Sequence, residues 1–293
     1  MSIRTFPWLS DIIREAYDKL DQREDEPQDP TWTLGEIVRA ANRAQDFVNR
    51  EVQSVSRFWN AQVVDTSSIA ANSREVTLPS DCRNVLLVTE IENSEEVFRW
   101  MPGRPADVGT VGGHFVHMPD QNKLYLSDTP TTAATLRIWY QNYKPPIVHG
   151  IVRAAGSTTL QIADHESAED DIYNNLGIYI FDGTGAGQTN TISDYVGWSR
   201  IATVTAWSTN PSTDSYYTSR PSLPRDADQA FLYALLCGLV EKNDGERYTQ
   251  FLRERQIHMS ALKKSASSFE QSGPLKIQNL MPGSCVDPLY RRW

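Results

Sequence analysis

The chain has 293 residues, with 28 Lys+Arg against 37 Asp+Glu and a formal net charge of −9; 40% of residues are apolar and 22% charged. Such a length buries a sizeable core without disulfide or metal staples, and the negative balance argues against a protein that wraps nucleic acid by counterion release, though not against one that nucleic acid slides past. No run of about 18 apolar residues marks a membrane span, and the opening MSIRTFPWLSDIIREAY lacks the continuous apolar stretch of a secretory signal.

The first predicted element is a helix. Trp8, Leu9, Ile12, Ile13, Ala16, Tyr17 and Leu20 recur at three- and four-residue steps. Ser10 is a candidate cap, with Pro7 and Trp8 as an alternative first turn. DQREDEPQDP (21–30) breaks this helix with two prolines and a charge cluster and reads as an exposed loop. Thr33 and Glu36 then form a T-x-x-E capping box. Leu34, Ile37, Val38, Ala41, Ala44, Gln45, Val48 and Val52 trace one face behind it, with Arg39, Arg43, Asp46 and Arg50 on the other. The pattern predicts a second helix from Thr33 to Arg57.

From Ala61 the period changes to two. Candidate strands are 62–66, 74–78, 85–92, 97–100, 114–118, 123–126 and 135–143, with RWMPGRPADVGTVGG (99–113) turn-rich among them. Short strands at this spacing predict an antiparallel sheet or small sandwich. Residues 123–143 read as a β-hairpin with a long loop. A second β-rich block, 147–219, has candidate strands 147–154, 158–162, 177–182, 189–195 and 200–206. It carries two arginines, Arg153 and Arg200, against eight acids, a net of −6, whereas residues 220–293 carry 11 Lys+Arg against 8 Asp+Glu, a net of +3. Pro145-Pro146 bound the block on one side and Pro211, Pro221 and Pro224 on the other, so it reads as an inserted module.

Helices return at the end. Asp226 and Gln229 fit a capping pattern before AFLYALLCGLVEKN, Asn243-Asp244-Gly245 is a stop and turn, and Tyr248, Phe251, Leu252, Arg255, Met259 and Leu262 restart the helix period. Two helices joined so tightly make an αα-hairpin. After Ala266 the periodicity ends, and SGPLKIQNLMPGSCVDPLYRRW reads as an extended arm whose apolar residues have no partner within it. Neither helical end buries a face alone. The predicted fold is therefore α+β. A discontinuous helical bundle from both chain ends (1–60 and 220–268) carries an antiparallel β region (61–146). An inserted small β-barrel or sandwich module (147–219) and an extended arm (269–293) complete it.

Chemistry finds little footing. GTGAGQT (183–189) lacks the G-K-[ST] ending of a phosphate loop and lies between strand patterns, so it reads as a glycine-rich hairpin turn. His114 and His117, three apart in a strand, face opposite sides and cannot share one ion. DHESAEDD (164–171) clusters carboxylates without EF-hand spacing and reads as a solvated acidic loop. Cys82, Cys237 and Cys285 are odd in number and form no C-x-x-C, which fits a reducing compartment. Cys82 and Cys237 read as buried small hydrophobes. No G-x-S-x-G or Cys–His signature occurs, so no enzyme activity, metal or cofactor is expected.

Two stretches carry a resemblance. TLGEIVRAANRAQDFVNREVQSVSRFWNA followed by LPSDCRNVLLVTEI, and the late DADQAFLYALLCGLVEKNDGERYTQFLRERQIHMSALKK, resemble head-to-tail adaptor (connector) proteins of tailed bacteriophages. The inserted TTLQIADHESAEDDIYNNLGIYIFDGTGAGQTNTISDYVGWSRIATVTAW is similar to small β modules of phage tail and virion proteins. The resemblance implies a closed ring of identical subunits, commonly twelve, beneath the capsid portal. Such a ring binds the portal protein on one side and a tail nozzle or tail-tube protein on the other, with tail fibres as a further candidate partner. Double-stranded DNA passes through without sequence-specific binding. The implied location is the virion head-tail junction, after synthesis in the host cytoplasm, with no membrane.

The family's C-terminal anchor falls here on 273–293, with Leu275, Ile277, Leu280, Met281, Leu289, Tyr290 and Trp293 as its apolar contacts. The acidic module supplies a second, tail-side face, with Asp164, Glu166, Asp170, Asp171, Gly183, Gly185 and Gly187 as candidates. Two other functions compete with the adaptor reading. The β-rich middle suits a tail nozzle, gatekeeper or fibre-attachment subunit. The acids and aromatics suit an envelope-glycan hydrolase, although the long repetitive β-solenoid usual in phage polysaccharide enzymes is missing.

Overall fold

The computed structural model describes residues 7–20, 32–66, 69–70, 73–90, 97–100, 114–118, 121–127, 133, 135–241 and 244–272. It is mixed helix and sheet. The chain divides into two compact units, one of residues 1–52 and 144–262 and the other of 53–143 and 263–293.

The second unit is built on a seven-stranded sheet. Its strands are β1 (Gln62–Asp65), β2 (Glu75–Thr77), β3 (Cys82–Glu90), β4 (Val97–Trp100), β5 (His114–Met118), β6 (Lys123–Leu126) and β7 (Leu136–Asn142), in the order β1-β7-β3-β4-β5-β6-β2. Strand positions follow the alternation of the sequence. In β7, Leu136, Ile138 and Tyr140 are buried, and in β6, Leu124 and Leu126 are buried. With Val76, Val88 and Phe115 they form one core.

Two expectations are corrected here. β6 and β7 do not form a hairpin: β6 pairs with β5 and β2, whereas β7 lies between β1 and β3. β7 matches the nine-residue β3 over nearly its whole length, which buries more of its apolar face than the four-residue β6 offers. The sheet is also not wholly antiparallel, because β4 and β5 pair in parallel, with Arg99 opposite His114. The turn-rich residues 101–113 lie outside the described residues.

The first unit combines helices with the second seven-stranded order. α1 (Leu9–Lys19) and α2 (Leu34–Gln53) come from one end of the chain, α3 (Asp228–Val240) and α4 (Gly245–Ser272) from the other, with the residues of α4 after Leu262 counted in the second unit. α3 is apolar on nearly all sides, with Ala230, Phe231, Leu232, Leu235 and Leu236 at 1% exposure or less, and so occupies the interior. The Trp32 indole N–H donates to the Leu239 carbonyl at 3.2 Å, and Tyr233 stacks on His258 of α4 with ring centroids 5.1 Å apart. The Arg255 guanidinium lies 4.5 Å above the Phe47 ring.

Helix ends differ from expectation in four places. α1 starts at Leu9, so Ser10 lies inside the helix, and the Asp11 carboxylate accepts the Trp8 N–H at 3.1 Å. α2 stops at Gln53 rather than Arg57. Asp226 lies within a 3-10 turn, Arg225–Ala227, so it does not cap α3. α4 runs on to Ser272, because SASSFEQS contains no helix breaker before Gly273-Pro274.

The strands of this unit are β8 (His149–Ile151), β9 (Ala154–Ala155), β10 (Thr159–Gln161), β11 (Gly177–Asp182), β12 (Thr189–Val196), β13 (Ile201–Val204) and β14 (Tyr216–Ser219). Their order is β8-β14-β11-β12-β13-β10-β9. β8 and β9 stand at opposite ends of that order yet follow one another in the chain. Val152 donates to the Ser215 carbonyl at 2.9 Å and Arg153 to the Gln161 carbonyl at 2.9 Å. The ladder thus returns to the segment where it begins. Ile178, Ile180, Ile192, Leu160, Ile162, Ala202 and Tyr217 fill the interior, all at 0% exposure. β9 and β14 have no clear period in the sequence, being two and four residues long.

α2 holds both ends of this β block. Asn42 Oδ1 accepts the Ile147 N–H at 2.8 Å, and Gln45 Nε2 donates to the Pro145 carbonyl at 3.2 Å. The same Gln45 accepts the Ser222 N–H through Oε1 at 2.7 Å. The predicted capping box of α2 is formed: the Glu36 carboxylate accepts the Thr33 N–H at 2.9 Å, and the Thr33 hydroxyl accepts the Glu36 N–H at 3.3 Å. Thr33→Ala is expected to cost about 1 kcal/mol, read as a lower urea midpoint by circular dichroism with an unchanged slope.

Candidate functional site

The acid-rich segment 164–171 is only partly solvated. Asp164 is exposed and pairs with Arg153. Glu166, two residues on, is 4% exposed. Its Oε1 accepts the His149 backbone N–H at 3.1 Å and the Tyr217 hydroxyl at 3.2 Å, and its Oε2 accepts the Tyr173 hydroxyl at 3.3 Å. Each tyrosine oxygen accepts in turn, from Ala163 N–H for Tyr217 and from Ser167 N–H for Tyr173, both at 2.9 Å. His165 Nε2 lies 3.5 Å from Glu166 Oε1 and 3.1 Å from the His149 carbonyl oxygen. The solvated-loop expectation is therefore corrected at Glu166, whose partners come from β8, β14 and the 173 turn. Two of these, His149 and Tyr217, lie 17 and 51 residues away, so local composition could not reveal its burial.

Burial raises the tyrosine hydroxyls well above their usual range, and the adjacent Glu166 adds to this. These hydroxyls stay protonated and donate. His149 is held down to about 4, first by burial and then by nearby His165. His165 is raised, chiefly by its hydrogen bond to Glu166.

The rest of the segment braces the turn between β12 and β13. Asp170 Oδ1 accepts the Gly197 N–H at 2.7 Å. Asp171, at a positive φ of 62°, donates its N–H to the Tyr195 carbonyl at 2.9 Å. The Tyr195 hydroxyl closes the loop by donating to the Ser167 carbonyl at 2.6 Å.

The glycine-rich stretch is a hairpin turn, as expected, since β11 and β12 pair antiparallel across it. Gly183 has φ +79°, and a Cβ there would lie 2.2 Å from the Asp214 carbonyl oxygen. Gly185 and Gly187 also take positive φ, +80° and +91°. Gln188 ties this tip to the loop beside it: Oε1 accepts the Ser208 and Thr209 N–H groups at 2.8 and 3.1 Å, and Nε2 donates to the Thr209 carbonyl at 2.8 Å. Thr184 N–H and hydroxyl donate to Asp214 Oδ2 at 3.1 and 3.0 Å.

The candidate tail-side residues thus fall into two groups. Asp164, Glu166, Asp170 and Asp171 gather at the Val196 end of β12, and Gly183, Gly185 and Gly187 at its Thr189 end. Eight strand residues separate them, about 25 Å of extended chain. Sequence reasoning missed Trp198, which is 80% exposed in the β12–β13 turn. The candidate arm residues, Leu275, Ile277, Leu280, Met281, Leu289, Tyr290 and Trp293, lie outside the described residues, as does Cys285.

Cys82 and Cys237 are buried. Burial raises both thiols, Cys82 to about 12. Among the described residues no group of three or more His, Cys, Asp or Glu is arranged to hold a metal ion, and no helix is long and apolar enough to cross a membrane.

A family model described as SU10 adaptor protein matches residues 9–179, more than half of the chain. The match runs from α1 through all seven strands of the second unit into β11. No curated protein matches the chain.

The buried histidine sets a pH dependence. His149 has its folded value depressed from 6.5 to about 4, so the unfolded chain binds more protons between those values. Its contribution is full above pH 6.5 and is lost as pH falls toward 4, up to about 3 kcal/mol. His165 acts in the opposite sense, its contribution being lost as pH rises through its raised value. The urea midpoint is expected to fall from pH 7 to pH 5, and His149→Gln to flatten that slope.

Proposed function

The chain belongs to the SU10 adaptor protein family, a phage head-to-tail adaptor family, and we propose that its copies form the ring beneath the portal that joins capsid to tail and extends the DNA exit channel. The observation that carries this reading is the family match over residues 9–179. The protein is a structural virion component of the head-tail junction rather than an enzyme. A ring of commonly twelve copies binds the portal protein on one side and a tail nozzle or tail-tube protein on the other. Double-stranded DNA slides through it without being read.

Two features support the reading. The helices from both chain ends act as one bundle, and Asn42 and Gln45 fasten the β block to them at 145–147 and at 222. The returning ladder of β8 to β14 acts as a small barrel projecting from that bundle. Its glycine tip, around Gly185, suits a tail-side contact because Gln188 and Asp214 hold the loops there in one arrangement. The arm, with Leu275, Ile277, Leu280, Met281, Leu289, Tyr290 and Trp293 as its apolar contacts, docks on the portal. Segments that order on binding cover much surface.

Removing residues 273–293 is expected to abolish ring assembly on purified portal while leaving the rest of the chain folded. Native mass measurement of the full chain with and without portal checks this. Unchanged assembly by the truncated chain removes the arm from the portal contact. A label at residue 185 is expected at the head-tail junction in electron micrographs of virions. Label at the distal tail tip identifies a nozzle or fibre-attachment subunit instead.

A further inference from the structure

The first unit leaves two large apolar side chains exposed among its described residues, Trp198 at 80% and Ile257 at 60%. A lone exposed apolar residue is ordinary on a soluble surface. These two stand out by how they are held and by the charge around them.

Trp198 is presented by a turn that its neighbours immobilise. Gly197 donates to Asp170 at 2.7 Å, and a Cβ at 197 would lie 2.2 Å from the Ala168 carbonyl oxygen. Gln161 Nε2 donates to the Ser199 carbonyl at 3.1 Å, and Arg200, at φ 53°, donates through Nε to the Glu166 carbonyl at 3.3 Å. These bonds fix the backbone that carries the indole. A turn set beforehand leaves only the side chain's own rotation to be lost on binding, which favours an interface anchor. Exposed carboxylates lie beside its base. Glu169, Asp170 and Asp171 lie against residues 195–197. None of these three has an ion-pair partner among the described residues.

Ile257 has the opposite setting. It lies on the face of α4 turned away from buried Phe251, Met259 and Leu262. One turn before it stands Arg253, exposed and without an ion-pair partner among the described residues. Ala261, one turn after, is also exposed. This face is an aliphatic centre beside a free cation.

We propose that these two patches meet between neighbouring copies of the chain, Trp198 of one against Ile257 of the next, with Arg253 facing the carboxylates around Trp198. Arg253 is suited both to the carboxylates and to stacking on an indole. The patches differ, so the contact is heterologous, and a heterologous contact repeated around a closing rotation gives a ring. This inference rests on the ring reading above and names the surfaces that would build it.

The test uses the full chain assembled on portal, with Cys285→Ser as background because Cys82 and Cys237 are buried. Trp198→Cys and Ile257→Cys are made singly and together, and a matching thermal melt confirms that each folds. Mild oxidation is expected to give a ladder of cross-linked oligomers from the double variant. It is expected to give dimers from a mixture of the two single variants, and only monomers from either single variant alone. In a second arm, Glu169→Lys and Arg253→Glu each lower ring yield roughly tenfold, and the two together restore it.

No cross-link in assembled rings, equal dimerisation of Trp198→Cys alone, or no recovery in the paired charge reversal overturns the interface. A chain that cross-links as expected but is missing from the head-tail junction of virions overturns the proposed function and leaves the interface standing.

Discussion

Two side-chain amides on the inward side of α2, those of Asn42 and Gln45, fix where the chain enters the β block and where it leaves it for the late helices. An amide taken from water costs about 1–3 kcal/mol unless its donors and acceptors are met. Gln45, at 2% exposure, meets that condition by bonding Pro145 on the segment that enters the block and Ser222 on the segment that leaves it. Asn42 adds both polar groups of Ile147. α2 therefore holds the block through side-chain hydrogen bonds to the backbone of Pro145, Ile147 and Ser222, which pick out those residues. A purely apolar α2 would pack against the same segments without specifying which residues lie there.

The β block repeats that logic. Its centre is Glu166, a carboxylate inside an apolar interior, surrounded by two tyrosine hydroxyls and the His149 N–H. The hydroxyls are kept protonated by burial, so they serve as permanent donors. The −6 of residues 147–219 is thus not evenly spread over a surface. Glu166 is turned inward, Asp164 is neutralised by Arg153, and Asp214 is committed to Thr184. The carboxylates left facing outward without a counter-charge include those around Trp198.

Much of the secondary structure was legible because its signals are local. The capping box at Thr33 and Glu36, the apolar α3 and most of the period-two strands lie close to where the spacing puts them, whereas β14 has no predicted counterpart and the strand read at 147–154 is divided into β8 and β9. The glycine stretch is a hairpin turn because positive φ is easy there. What was not legible depends on distant partners. Spacing put Gln45 on the inner face of α2 but could not say that it joins Pro145 to Ser222. Composition made Glu166 look solvated, because Tyr217 lies 51 residues away. The pairing of β7 with β3 rather than β6 is likewise a choice among strands that look alike one at a time. An isolated Trp beside glycine, such as Trp198, carries no motif; only its exposure separates it from the buried aromatics.

The Trp32–Leu239 bond has a consequence for synthesis. The two residues are 207 positions apart, so at ordinary translation speeds roughly 10–40 s pass between their emergence. During that interval α1 and α2 are made but lack the helix that covers them. Residues 62–142 carry their own sheet and need nothing from the late helices to pair their strands. The order of emergence thus favours a ribosome-bound chain whose middle folds first and whose two ends close last. Until then, the apolar faces of α1 and α2 are the surfaces a chaperone would have to shield.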